Sequence, residues 1–408
     1  MSLSESFIWS HMSNTQQEVS IHDTIIVVAA MVLAIAAALA WNLANPNDFS
    51  VYNNEGSTYT SGIVTRVISE DLVVDEDTGQ VAGSQELEVR IDDGPYAGRV
   101  EQIRNSVTPT QNVIAREGTG VTVRVDGTGG PNPLFMVFNY NRLPAVAIIL
   151  AVFAALMMGV GRAKGLRSLA GLAFALALVT LFLLPSIFRG MSPVGASLLT
   201  ALLVTAGSMA MLNGLTRKTL VSVLAAAIGL VASMAFYYLF TWLLHLSGFN
   251  TAGADELLVI QGNTGLDISQ VLFASVVISS LGAVIDMCMS VASPLFELKR
   301  VNPGMGVREL FSSGMEMGSD MIGTMCQTLI LAFVGSATGE LLLQISYGTQ
   351  PIQLISSNYM AVEVLQSFAG GAGVILVVPI TSAIAAWVLA RGAWASAGKA
   401  SAPAKENN

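Results

Sequence analysis

Ser279, Gly282, Asp286, Ser290, Ser293 and Glu297 recur every three or four positions, the spacing that gathers side chains on one face of a helix. A second line, Glu309, Ser312, Glu316, Asp320, Thr324 and Gln327, falls within about one turn's width on the segment that follows. Pro294 is predicted to end or kink the first helix, and Asn302-Pro303-Gly304 supplies the turn between the two. If the hydrocarbon of a membrane begins near Ser319, Gln327 sits about 12 Å deep, and the antiparallel hairpin sets Asp286 opposite Thr324 and Gln327. A carboxylate at that depth costs about 3 kcal/mol, so it must face protein or water, be paired, or be protonated. No Lys or Arg lies close by within the span. Glu316 and Asp320 repel at i,i+4, which a shared proton or a bound cation would relieve. Asp286, Asp320 and Glu316 are therefore the candidate proton or cation sites, with Ser290, Thr324 and Gln327 as polar lining. The competing reading is packing: small polar residues and the Gly314-to-Gly318 spacing also suit close helix contacts. It fits Ser279, Ser290, Ser293 and Thr324 better than Asp286, and Asp320 could cap its helix at the headgroups. Glu340, Glu363 and His245 are expected near the outer interface, mostly solvated.

Other motifs point away from enzymatic chemistry. No Ser-His-Asp, His-Glu-x-x-His or Gly-x-Ser-x-Gly arrangement occurs, so no enzyme activity is expected. Gly370-Gly371-Ala372-Gly373 lacks the Lys-Ser/Thr of a phosphate cradle and reads as a flexible or tightly packed stretch. The run Met315, Met317, Met321, Met325 suits adaptable packing. Both cysteines, Cys288 and Cys326, fall in apolar runs, without disulfide or metal-ligand spacing, and no metal or cofactor is expected.

These residues need elements that can hold them. Of the residues, 53% are hydrophobic and 12% charged, about half the charge of an ordinary soluble domain. Continuous apolar runs at 24–44 and at about 143–161, 168–188, 194–213, 219–246, 270–293, 320–346 and 360–389 are each long enough to cross a bilayer as a helix. The expected fold class is an α-helical polytopic membrane protein of about eight transmembrane helices with an inserted, small β-barrel-like domain outside the membrane. The first run is either a retained anchor or, with Ala38-Leu39-Ala40 as cleavage site, a signal peptide; the long segment before it, free of Lys and Arg, favours the anchor.

Between the first two runs the pattern changes. Gly62-Ile63-Val64-Thr65-Arg66-Val67-Ile68, Leu87-Glu88-Val89-Arg90-Ile91 and Val121-Thr122-Val123-Arg124-Val125 alternate as half-buried strands do. Turn signals separate them at Asp77-Thr78-Gly79, Asp92-Asp93-Gly94-Pro95, Asp126-Gly127 and Gly129-Gly130-Pro131. Five or six strands so spaced predict a closed or nearly closed barrel of OB or SH3-like size.

The basic residues fix an expected orientation. Arg162, Lys164 and Arg167; Arg217 and Lys218; Lys299, Arg300 and Arg308; and Arg391 and Lys399 all fall on one side if each run crosses once, and that side is cytoplasmic. The expected order is then a cytoplasmic tail over 1–23, an anchor over 24–44, an extracytoplasmic β domain over 45–140, a multi-helix domain over 141–392 and a cytoplasmic tail over 393–408. The net charge of -9 says little about partners, and no basic stripe with interleaved aromatics occurs, so nucleic-acid binding has no support. The expected partners are the lipid bilayer, a small solute or ion, and a protein at the external β domain.

Leu281-Gly282-Ala283-Val284-Ile285-Asp286-Met287-Cys288-Met289-Ser290, Ser313 through Met325, and Thr328 through Ser336 together resemble the YibE/F family of prokaryotic multi-pass membrane proteins. The resemblance extends from the β domain to the last span. It implies the same anchor, external β segment and helical bundle in the plasma membrane of a prokaryote, and, for some members, transport. The function expected is a transporter or permease, proton- or cation-coupled through Asp286; the alternative is a non-transporting scaffold or assembly factor whose β domain binds a partner.

Overall fold

The computed structural model describes residues 21–46, 56–127, 132–246, 257–258, 260–262 and 266–400, with side chains of Ile21 and 391–400 left out. The tail before residue 21, the turn at Gly129-Gly130-Pro131 and residues 401–408 lie outside the described residues. The chain divides into two compact units, one of residues 50–160 and one of residues 1–49 with 161–408.

The smaller unit is an antiparallel sheet of five strands, β1 (Ser57–Val74), β2 (Val81–Ile91), β3 (Val100–Val107), β4 (Gly120–Asp126) and β5 (Leu134–Tyr140), in the order β3-β2-β1-β4-β5. Alternation sends Val64, Leu87, Val89, Ile91, Ile103, Val121, Val123, Val125 and Val137 into one core. The sheet curls into a half-barrel. Strands β3 and β5 are not hydrogen-bonded to each other, so of the closed or nearly closed barrel expected from the strand spacing the sheet forms an open one. The segment after β3 covers the opening instead. Its Val113 and Ala115 are buried, and its backbone bonds to side chains: Ile114 N–H donates to Tyr140 Oη (2.9 Å), which donates back to Ile114 O (3.0 Å).

The larger unit is helical. Its elements are α1 (Ile21–Ala44), the second half of α2 (Leu143–Leu178), a π-helical turn (Val179–Leu183), α3 (Leu184–Phe188), α4 (Pro193–Asn213), α5 (Arg217–Leu243), α6 (Ile268–Val301), α7 (Val307–Ser346), the short α8 (Pro351–Ile355) and α9 (Asn358–Ala400). Among the described residues, seven helical stretches are long and apolar enough to cross a membrane, against about eight expected. The difference lies in the runs at 143–161 and 168–188, which join into one stretch, Leu143–Phe188, interrupted at Arg162 by a non-helical φ of 48° and ψ of -131°. Pro294 does not end its helix either; α6 continues through it to Val301.

Helix α9 is the axis of the packing, in contact with α5, α6 and α7. Glycines allow it to approach so closely. A Cβ on Gly229 of α5 would lie 2.9 Å from Val377 of α9, and one on Gly370 of α9 would lie 3.0 Å from Ser280 of α6 and 3.1 Å from Leu329 of α7. The Gly370–Gly373 run is thus a packing surface. Hydroxyls inside the bundle turn back onto their own helices: Thr200 donates to Ala196 O (2.7 Å), Thr205 to Ala201 O (2.7 Å), Ser280 to Val276 O (2.7 Å). Such back-bonding satisfies a polar group without a partner helix.

Candidate functional site

The α6/α7 hairpin forms as the sequence predicts. Leu295 lies against Gly314 and Val291 against Gly318, and Ser280 and Leu329 meet the same glycine of α9. These pairs fix a register in which Asp286 stands level with Gly323 and Thr324. Asp286 is thus opposite Thr324 along the hairpin, but no hydrogen bond joins Asp286 to Thr324 or Gln327 among the described residues.

The reason is the direction of the faces. On α6, Val284, Met287, Cys288, Val291 and Leu295 fill the core, and Asp286 projects from the opposite side, exposed, in line with exposed Ser275, Ser279 and Gly282. On α7, Leu310, Gly314, Gly318 and Leu329 are buried, whereas Glu316, Asp320, Thr324, Gln327 and Thr328 are exposed. The two polar lines predicted from spacing therefore exist, and both face away from the core of the single chain. Ser290 is half-buried on the same side of α6. Thr324 donates to Met321 O (3.0 Å) and Ser279 to Val276 O (3.1 Å), the local bonding that the packing reading expects.

Asp286 has no hydrogen-bond or ion-pair partner among the described residues. Charged side chains on the elements packed against α6 are few: none on α4; Arg217 and Lys218 at the start of α5; Arg308, Glu309, Glu316, Asp320 and Glu340 on α7; Glu363, Arg391 and Lys399 on α9. A cation from α5 reaches α6: Lys218, whose Nζ donates to Ser293 Oγ at 2.6 Å, seven positions or about 10 Å along α6 from Asp286. Sequence spacing within one helix could not find this contact, because it joins α5 to α6. The methionines expected to pack do so: Met315, Met317, Met321 and Met325 line the core around Val291 and Val378.

Glu363 departs from the solvated place expected for it. It is half-buried between α7 and α9, with Oε2 shielded and without a hydrogen bond, beside an apolar cleft lined by Ile330, Val334, Met360 and Phe368. Glu340 is also half-buried and accepts from Gln344 Nε2 at 2.9 Å.

The family described as YibE/F-like protein matches residues 149–391, more than half of the chain. The chain belongs to the YibE/F-like family. The match takes in every helix that builds the polar hairpin and begins after the β domain, so the family resemblance stops short of the sheet to which the sequence motifs had been extended. No curated protein and no solved structure matches the chain. Within the YibE/F-like region lie all six residues predicted from spacing: Asp286, Ser290, Glu316, Asp320, Thr324 and Gln327.

Proposed function

We propose that this YibE/F-like protein is embedded in the plasma membrane of a prokaryotic cell and acts, without enzymatic chemistry, as a secondary transporter or permease for a small solute or ion. Protons or small cations would move along the polar face of α6 and α7. Seven apolar helical stretches support the membrane placement. The 46 residues of Leu143–Phe188 rise about 69 Å, more than twice a hydrocarbon core of about 30 Å. That length and the non-helical residue at Arg162 support counting the stretch as two crossings, and with eight crossings the basic loops and both termini would be cytoplasmic.

The observation that carries the transport reading is Asp286: a carboxylate in the middle of an apolar helix, without partner among the described residues, on a face of serines and glycine. Hydrocarbon cannot solvate it, so something polar must reach it. Asp320 and Glu316 extend the same kind of surface toward the cytoplasmic end of α7. The test is proton flux into vesicles reconstituted with the purified protein and loaded with a pH-sensitive dye under an imposed gradient. Asp286→Asn should lower the flux at least tenfold; unchanged flux with unchanged pH dependence would remove the proposal.

The scaffold reading rests on a different observation. The far end of the β1–β2 ribbon carries exposed Ile68, Val73 and Val74 beside Glu70, Asp71 and Glu76, a surface suited to a protein that offers apolar and basic groups. Deletion of residues 50–140 separates the two: flux that survives the deletion favours transport, whereas loss of cellular function by a protein without measurable flux favours the scaffold.

A further inference from the structure

We propose that the outward face of α6 and α7 is an interface with a second copy of this chain, related to the first by a two-fold axis along the membrane normal. Gly335 and Gly339 of α7 would lie at the closest approach, and Asp286 of each copy would face Thr324 and Gln327 of the other. The inference rests on the membrane reading above and adds what completes the site.

Two observations carry it. The first is the contrast between sectors of the helical unit's surface. Elsewhere the exposed side chains suit lipid, as Leu220, Leu224, Ile228, Val231 and Leu239 do along α5. On α6 and α7 the exposed positions include Ser275, Ser279, Gly282 and Asp286, and Asp320, Thr324, Gln327, Thr328 and Thr338, interspersed on α7 with exposed Leu331, Val334 and Leu342. A lipid-facing acid and amide at that depth have nothing to bond to, so a protein surface with polar groups must cover them. The second is four glycines. Gly282, Gly323, Gly335 and Gly339 are helical, exposed, and have no atom within 4 Å of where a Cβ would stand. Each costs its helix about 1 kcal/mol relative to alanine. The contrast with Gly314, Gly318 and Gly370, which are filled by neighbours, shows what glycine does in this fold when a helix lies close. Gly335-Ser336-Ala337-Thr338-Gly339 also has the spacing that lets two like helices approach backbone to backbone.

The occupant is a second copy because of depth. The register of the hairpin puts Asp286 level with Thr324, and a copy inserted in the same orientation presents its own Thr324 and Gln327 at that depth without adjustment. A two-fold axis beside α7 lays α6 of one copy toward α7 of the other. The acid then meets the Gln327 amide, a donor, and the Thr324 hydroxyl, whose proton would turn from Met321 O to the carboxylate, twice over by symmetry. An axis beside α6 would bring Asp286 onto Asp286 and is disfavoured by like charge.

The test is cross-linking of the full chain in native membranes, with Cys288 and Cys326 replaced by alanine. Thr328→Cys and Thr338→Cys should each give an oxidised dimer, and Asp286→Cys co-expressed with a differently sized Thr324→Cys chain should give the mixed dimer. Leu224→Cys, on the lipid-suited face, should not. Gly335→Leu with Gly339→Leu should lower the dimer yield at least tenfold while the protein stays folded, since nothing in its own chain opposes the new side chains. Cross-linking no stronger than at Leu224→Cys, or unaffected by the paired leucines, overturns the interface. If that occurs while Asp286→Asn still abolishes flux, the transport reading stands and only the interface falls. Strong cross-linking by a protein without flux supports the interface and removes transport. Release of the chain from membranes by alkaline carbonate overturns both.

Discussion

Gly314 of α7 lies against Ser382 of α9: a Cβ on the glycine would stand 2.6 Å from the serine Oγ and 2.9 Å from both the serine Cβ and Leu295 Cδ1. Gly318, one turn on, is pressed in the same way by Val378 and Val291. Valine cannot yield as a long side chain can, because its branches sit at Cβ. Three helices meet at these two glycines, and Asp286 keeps its level relative to Thr324 only while they do.

Gly318→Val should therefore destabilise the protein by about 1–3 kcal/mol through overpacking, and Gly314→Leu by a similar amount. Gly323→Ala, with no atom near its Cβ, should stay within about 0.5 kcal/mol of the parent or gain stability from better helix propensity. Thermal unfolding in detergent, read by tryptophan fluorescence, would check this; equal melting temperatures for Gly318→Val and Gly323→Ala would show that the glycine contact is not what holds the hairpin.

In the β unit, Asp93 pins the β2–β3 turn to the start of β1. Thr60 Oγ1 donates to its carboxylate, Ser61 N–H donates to Oδ1 (2.8 Å), and Ser61 Oγ donates to Oδ2 (2.9 Å). The Thr60 hydroxyl, then the Ser61 amide and hydroxyl, hold the carboxyl below its ordinary value of 3.8. Folding thus favours the ionised form. The stabilisation is complete above 3.8 and is lost as the pH falls from there through the lower folded value. Amides of 57–62 and 91–99 should exchange hydrogen faster below that pH, after correction for intrinsic rates. Asp93→Asn should exchange faster at neutral pH and lose this step. A step that persists in the variant would assign it to Asp126, held low by the Ser57 hydroxyl, or to Asp75, held low by the Thr78 amide.

Arg189 links α1 to the turn after α3. Its Nη1 donates to Asn42 Oδ1 (2.7 Å) and its Nη2 to Asn45 O (2.9 Å), and Asn42 Nδ2 donates to Leu181 O (2.8 Å). Bonds from a charged donor contribute about 1.5–3 kcal/mol. Arg189→Met should lower the melting temperature and loosen α1, and Asn42→Ala should add little on top of it, since the two act through one contact. A double-mutant cycle that came out additive would rule out the coupling.

The sequence carried the helices well because their signal is local: twenty apolar residues in a row leave few alternatives. It carried less of the arrangement. Spacing placed Asp286, Ser279 and Gly282 on one face but could not tell whether that face points inward, because serine and glycine suit a packed interface and an uncovered one alike. The Lys218–Ser293 contact and the place of α9 among α5, α6 and α7 depend on distant parts of the chain. Whether the barrel closes stays open for the same reason: strand count does not say whether β3 and β5 are hydrogen-bonded to each other. A signal for its closing segment was present, however. Gln85 has the parity of Leu87, Val89 and Ile91, and Asn105 that of Ile103 and Val107, so two amides were destined for the inner face.

Those amides hold the segment that replaces the missing strand pairing. Gln85 is 1% exposed; its Nε2 donates to Ala115 O (3.0 Å), and its Oε1 accepts from Ala115 N (2.9 Å) and from Asn105 Nδ2 (3.1 Å). Asn105 Nδ2 also donates to Val113 O at 2.6 Å. Gln85→Leu keeps the volume but leaves the Ala115 N–H and C=O buried without partners, at about 1–3 kcal/mol for each group. The segment 108–119 should then lift from the opening while β1, β2 and β4 keep their pairing. Hydrogen exchange on the full chain should accelerate at 108–119 at least tenfold, with little change at 121–125 and none in α5 or α6. Acceleration spread evenly over all five strands would mean that the segment is part of the sheet's cooperative core; no acceleration would mean that Tyr140 and Asn105 hold it without Gln85.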